Sequence, residues 1–182
     1  MHIFQGKPQI VASVVLVVVL VVASWTDVTT RRIPNWLTIS AIVAGLAVRA
    51  SIGLAPFGGG ALGLAVACLL ALPFFATGVL GGGDAKLLMA VGTFTGPTDV
   101  LRASLVIAVV GGIVALIEAA RRRMLVPTLA SCGLLIVSWV TLGRRGGGRR
   151  LLMGGGERLA VPYGVAIAAG SLVWWFGGGL LS

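Results

Sequence analysis

Apolar residues gather in seven runs, at about Ile10–Trp25, Trp36–Ile52, Gly58–Leu80, Ala85–Gly96, Val100–Ala119, Leu125–Leu142 and Leu159–Leu181. Most of them approach the ~20 residues a helix needs to cross the hydrocarbon core of a bilayer. The pattern predicts an all-α polytopic membrane bundle of one domain, residues 1–182. The first run has some marks of a signal peptide, with Lys7 before a Val-rich stretch and Val21-Val22-Ala23 near its end. Asp27 and the Arg31-Arg32 pair that follow it read instead as an ordered functional loop, so the run is expected to remain as a helix. The run after Gly83 is short. Its 13 residues from Asp84 to Gly96 make roughly 20 Å of helix, less than the roughly 30 Å core. Asp84 is therefore expected to start its helix below the membrane surface, or the bilayer to thin there.

Composition removes the alternative of a water-soluble globule. Of 182 residues 58% are hydrophobic and only 10% charged, where a soluble domain carries about a quarter charged. The net charge of +9 then reads as an orientation signal rather than a nucleic-acid surface, because Lys and Arg concentrate on the cytoplasmic side. With the first helix running inward, the inner loops hold Arg31, Arg32, Lys86, Arg121, Arg122, Arg123, Arg144, Arg145, Arg149, Arg150 and Arg158. The outer side keeps Lys7, Arg49 and Arg102. The run 125–142 has basic clusters at both ends and Pro127 near its start, which favours an interfacial or re-entrant cytoplasmic segment. Six crossings with both termini outside follow; seven are the alternative. Cys68 and Cys132 stand alone in apolar runs, with no pairing or metal-ligand spacing, and read as packing residues. Gly63, Gly111 and Gly112 are expected to let helix backbones approach closely.

Candidate chemistry is confined to five acids: Asp27, Asp84, Asp99, Glu118 and Glu157. Glu118 lies three and four residues before Arg121 and Arg122, ordinary ion-pair spacing on a helix. Glu157 neighbours Arg158 in the basic loop, and Asp99 after Gly96-Pro97-Thr98 reads as an N-cap. Asp27 closes the first span and Asp84 opens the fourth, both on the inner side by the charge bias. Taken singly, Asp27 could pair with Arg31 four residues on, and Asp84 could cap its helix. Taken together, two near-membrane acids beside helix-breaking elements point to a shared site. Two close carboxylates do not both ionise easily, so one can activate water while the other protonates the substrate.

Three motifs in order now resemble one family. Gly81-Gly82-Gly83-Asp84 matches the GxGD motif of intramembrane aspartyl proteases. Asp27, followed after five residues by Ile33-Pro34-Asn35 and then Leu37-Thr38, is similar to the first-aspartate motif of type IV prepilin peptidases. Pro162-Tyr163-Gly164 resembles the Pro-Tyr-Gly element of their last span. The resemblance covers essentially the whole chain. It implies an aspartic endopeptidase that cleaves prepilin leader peptides at the cytoplasmic face of the bacterial inner membrane. Asp27 and Asp84 would be the catalytic pair, with neither metal nor cofactor. Gly81, Gly83, Lys86, Pro34, Asn35 and Tyr163 would shape the site, and the partners would be prepilins with a hydrophobic N-terminal helix. Long members carry a cytoplasmic Cys-x-x-Cys domain linked to N-methylation. Between Trp25 and Trp36 there is neither room nor cysteine for one, so the chain resembles the short form of the tight-adherence (Flp-type) branch.

Within that site, Asp84 at a helix N-terminus should be the more readily ionised acid, hence the base, with Asp27 as acid. Pro34 and Asn35 are expected to break the chain and set the angle into the second span. Lys86 either favours the Asp84 anion or snorkels at the interface. The Arg-rich loop 144–150 could contact anionic lipid headgroups. A presenilin-like protease shares GxGD but not the Ile33-Pro34-Asn35 context. A small transporter or channel with an intramembrane acid pair is the non-enzymatic alternative.

Overall fold

The computed structural model describes residues 7–76, 80–121 and 163–177. Six helices are found in them: α1 (Lys7–Thr30), α2 (Asn35–Ala50), α3 (Leu54–Ala76), α4 (Gly82–Thr95), α5 (Pro97–Arg121) and α6 (Tyr163–Gly177). No strand occurs among the described residues. Three stretches are long and apolar enough to cross a membrane, Ile10–Thr30, Leu54–Ala76 and Pro97–Ile117, while α2 and α6 are shorter apolar helices. Large apolar side chains such as Val14, Val18, Leu62, Leu69, Leu105 and Val109 are exposed on these elements, the outward face expected of a chain solvated by lipid rather than water. The run 125–142, the loop 144–150, Cys132 and Glu157 lie outside the described residues, as do the side chain of Glu118 and its expected ion pairs.

The chain falls into two compact units, Met1–Gly111 with Pro162–Ser182, and Gly112–Val161. The described part of the second is the end of α5. The first unit is organised around α4. This helix has 14 residues, about 21 Å at 1.5 Å per residue, and matches the short apolar run of the sequence. It packs against α1, α2, α3 and α6, and every residue from Ala90 to Gly96 is buried. A helix enclosed in this way need not reach across the bilayer, because its ends meet other protein.

Small residues make the enclosure possible. A Cβ on Gly63 of α3 would collide with the Gly92 carbonyl oxygen and lie 2.8 Å from the Gly96 Cα. One on Gly92 would lie 2.5 Å from the Gly63 oxygen, so α3 and α4 touch backbone to backbone. Gly63 thus plays the expected role. Gly111 leaves ordinary van der Waals room to Ala166, and Gly112 has no close neighbour among the described residues. On the other side, α6 is tied to α1 by the Trp175 indole N–H, which donates to Ser13 Oγ at 2.9 Å.

Arg49 adds burial to the charge tally. Counted among the outer charges, it is 1% exposed and inside the bundle at the α2 C-terminus. Its Nη2 donates to the Phe94 carbonyl at 2.8 Å and its Nη1 to the Pro56 carbonyl at 3.1 Å. The last carbonyls of a helix have no intrahelical donor and carry partial negative charge. A cation at the ends of α2 and α4 answers both needs. Gly96 gives it room, since a Cβ there would lie 3.2 Å from Nη2, and its φ of +89° suits glycine. Asp99 lies within electrostatic reach of Arg49 and 3.9 Å from Arg102. It stands in the first turn of α5, inside the helix rather than at the cap.

Candidate active site

The opposite end of α4 is where the motif segments meet. Helix α1 ends at Thr30 because Arg31 turns into the left-handed region, φ 52°, and its N–H closes the last turn on the Asp27 carbonyl at 2.9 Å. Hydroxyls of Ser24, Thr26, Thr29 and Thr30 donate to carbonyls three or four residues back. This polar last turn places Asp27, 8% exposed, facing inward near the helix end. Among the described residues no ion pair joins it to Arg31, which is exposed. The spacing of four pairs side chains only while both residues remain on one helix.

The Asp27 carboxylate turns to α6 instead. The Gly164 N–H donates to Asp27 Oδ2 at 2.8 Å in a buried setting. Gly164 is the second residue of α6, where backbone N–H groups have no helical acceptor. The absence of a side chain is what permits the approach: a Cβ would lie 2.7 Å from Oδ2 and 3.0 Å from Cγ. Tyr163, expected to shape the site, opens α6 beside it and is half-buried. The neighbouring backbone amide reaches the acid. Only the glycine in Pro-Tyr-Gly could have signalled it.

Asp84 sits in the first turn of α4, with Gly81 at the N-cap. It occupies the third helical position rather than the cap, and its carboxylate lies against the Gly81 backbone. Gly81 must be small, since a Cβ would lie 2.8 Å from Asp84 Oδ2. Asp84 is half-buried and within electrostatic reach of Asp27.

The loop between α1 and α2 closes the remaining side. Pro34 is the extended N-cap of α2, φ −68° and ψ 138°, and its ring keeps Ile33 out of the helical region. Ile33 is buried against Gly83, where a Cβ would lie 3.0 Å from Ile33 Cβ and 3.2 Å from its carbonyl oxygen. Asn35 Oδ1 accepts from Lys86 Nζ at 2.8 Å, so Lys86 is engaged with the loop. Thr38, fully buried, donates to the Asn35 carbonyl at 3.1 Å. Ile33-Pro34-Asn35 is thus docked on Gly83-Asp84-Ala85-Lys86 by a close contact and a hydrogen bond. Among the described residues no three His, Cys, Asp or Glu side chains gather as metal ligands.

Two carboxylates thus lie within electrostatic reach of each other at one end of a helical bundle, Asp27 held by the Gly164 N–H and Asp84 in the first turn of α4. The comparison with known families is more specific. The model of the type IV leader peptidase family matches residues 14–116, more than half of the chain, and the protein belongs to that family. The match contains both acids and the loop after Asp27. No curated protein and no solved structure matches the chain.

Proposed function

We propose that this membrane peptidase is an aspartic endopeptidase that removes the leader peptide of type IV, Flp-type prepilins at the cytoplasmic face of the bacterial inner membrane. Membership of the leader peptidase family supports the substrate class. The observation that carries the aspartic reading is the docking of the segment after Asp27 on the segment that holds Asp84, with Ile33 against Gly83 and Lys86 Nζ donating to Asn35 Oδ1 at 2.8 Å, which leaves the two acids within electrostatic reach of each other. In such a pair one carboxylate takes a proton from water as it attacks the scissile carbonyl. The other, protonated, supports the developing oxyanion and then gives its proton to the leaving amine. The exposed Trp25 and Trp36 flank the acid-bearing turn, the position of aromatic anchors at a membrane interface. Together with Arg31 and Arg32 they favour the cytoplasmic rim as the site's location.

The test is incubation of the purified protein in detergent or liposomes with a Flp-type prepilin, following the loss of its leader by mass. Asp27→Asn and Asp84→Asn are each expected to abolish cleavage while the protein still inserts in the membrane. Cleavage at the wild-type rate by either variant would overturn the aspartic reading.

A further inference from the structure

The third motif element makes contact with Asp27 through a backbone N–H. Gly164 presents its N–H from the first turn of α6, and that N–H is directed at Asp27 Oδ2, 2.8 Å away and buried. The contact joins residues 137 positions apart, so it is no by-product of local geometry at the end of α1. Helix α6 is itself anchored to α1 by Trp175 and Ser13. The positive end of its dipole therefore meets an acid placed near the negative end of α1.

We infer that Gly164 is a positioning residue of the peptidase site: its N–H holds Asp27 Oδ2 and fixes the carboxylate, leaving Oδ1 for the reacting groups. This inference rests on the aspartic reading above. With one oxygen held by α6, the carboxylate cannot rotate freely, and the oxygen left over is the one available to a water or a substrate carbonyl. Bare room for helix packing would make a different prediction, because packing requires the missing Cβ and not the N–H. Among the described residues, Asp84 on α4 lies within electrostatic reach of Asp27. Lys86 is engaged with Asn35, and Arg31 and Arg32 are exposed.

Two variants separate the N–H from the space. Gly164→Ala keeps the N–H but puts a Cβ 2.7 Å from Oδ2, so Asp27 must move. An amide-to-ester replacement at position 164, installed by cell-free translation, deletes the N–H and adds no side chain. That N–H serves no intrahelical bond, so α6 is preserved. Both proteins are assayed on a prepilin for kcat and KM. Gly164→Ala should lower kcat by about 100-fold, the loss typical of a displaced reacting group, with KM little changed. The ester should lower kcat by about 10-fold with KM little changed, because the carboxylate loses a bond that fixes it. An ester protein with the wild-type kcat would overturn the inference, even with Gly164→Ala inactive, because only the space would then matter. Asp27→Asn and Asp84→Asn run alongside: cleavage by either refutes the aspartic reading, whereas two inactive Asn variants beside a wild-type ester refute only the role of the N–H.

Discussion

Replacing Arg49 by Met tests whether the end of the bundle remote from the acid pair depends on a buried cation. Arg49→Met keeps an unbranched side chain in the same slot and removes two donors. The Phe94 and Pro56 carbonyls lose partners at 2.8 and 3.1 Å. Hydrogen bonds to a charged group contribute about 1.5–3 kcal/mol each, and a buried acceptor left unmade costs about 1–3 kcal/mol. Release of a charge from a buried position offsets part of this, since its desolvation was unfavourable. A net destabilisation of about 3 kcal/mol is expected. Arg49→Lys should recover less than half of it, because one ammonium cannot supply the planar fork that reaches both carbonyls. The assay is equilibrium unfolding in mixed micelles, with hydrogen exchange at the last turn of α4 as the local readout. A Met variant within about 0.5 kcal/mol of wild type, with that turn still protected, would refute the reasoning.

Two further perturbations address the docked loop. Gly83→Val puts branched carbon where even a Cβ lies 3.0 Å from Ile33 Cβ and 3.2 Å from its carbonyl oxygen; the loop must lift, and prepilin cleavage should fall at least about 100-fold through misplacement of the acids, while Gly82→Ala, whose Cβ among the described residues meets Phe75 at an ordinary 3.5 Å, should stay near wild type. Lys86→Met and Asn35→Ala remove the two ends of one 2.8 Å hydrogen bond. In a double-mutant cycle on unfolding their coupling should be about 0.5–1.5 kcal/mol, as for a single intramolecular hydrogen bond, and strictly additive effects would deny that Lys86 holds the loop.

The sequence carries most of the fold and the location of the site, for a definite physical reason. Long apolar runs have one stable form in a bilayer, since every backbone polar group must be satisfied within the segment. Six of the seven runs correspond to helices of the structure; the seventh, at 125–142, lies outside the described residues. The acids were legible because there are so few of them. Their local contacts were not, and three residues show why. The alternative of an Asp27–Arg31 pair on a continuous helix fails because the left-handed turn at Arg31 takes that side chain off the helix face. The alternative of Asp84 as a cap fails because Gly81 holds that place and the acid lies inside the first turn.

Arg49 was counted as a loop charge because a tally by position records nothing of burial. Its trace in the sequence is its place in an apolar run, with Gly59, Gly60 and Gly96 supplying small residues elsewhere in the chain. A Cβ on Gly60 would lie 2.5 Å from Arg49 Cδ, and one on Gly59 3.1 Å from Nη1, so these glycines and the arginine form one feature dispersed over three segments. The same holds at the acid end. Gly81, Gly83 and Gly164 each leave a space that is filled by Asp84, Ile33 and Asp27 respectively. A motif glycine in this protein therefore marks what must approach it, and the partner can be named only once the helices are placed. That is why Pro-Tyr-Gly pointed to Tyr163 as a site-shaping residue and not to the Gly164 N–H that reaches Asp27. Side chains can be read from a sequence, but a backbone donor acquires its acceptor only when α6 is set beside α1.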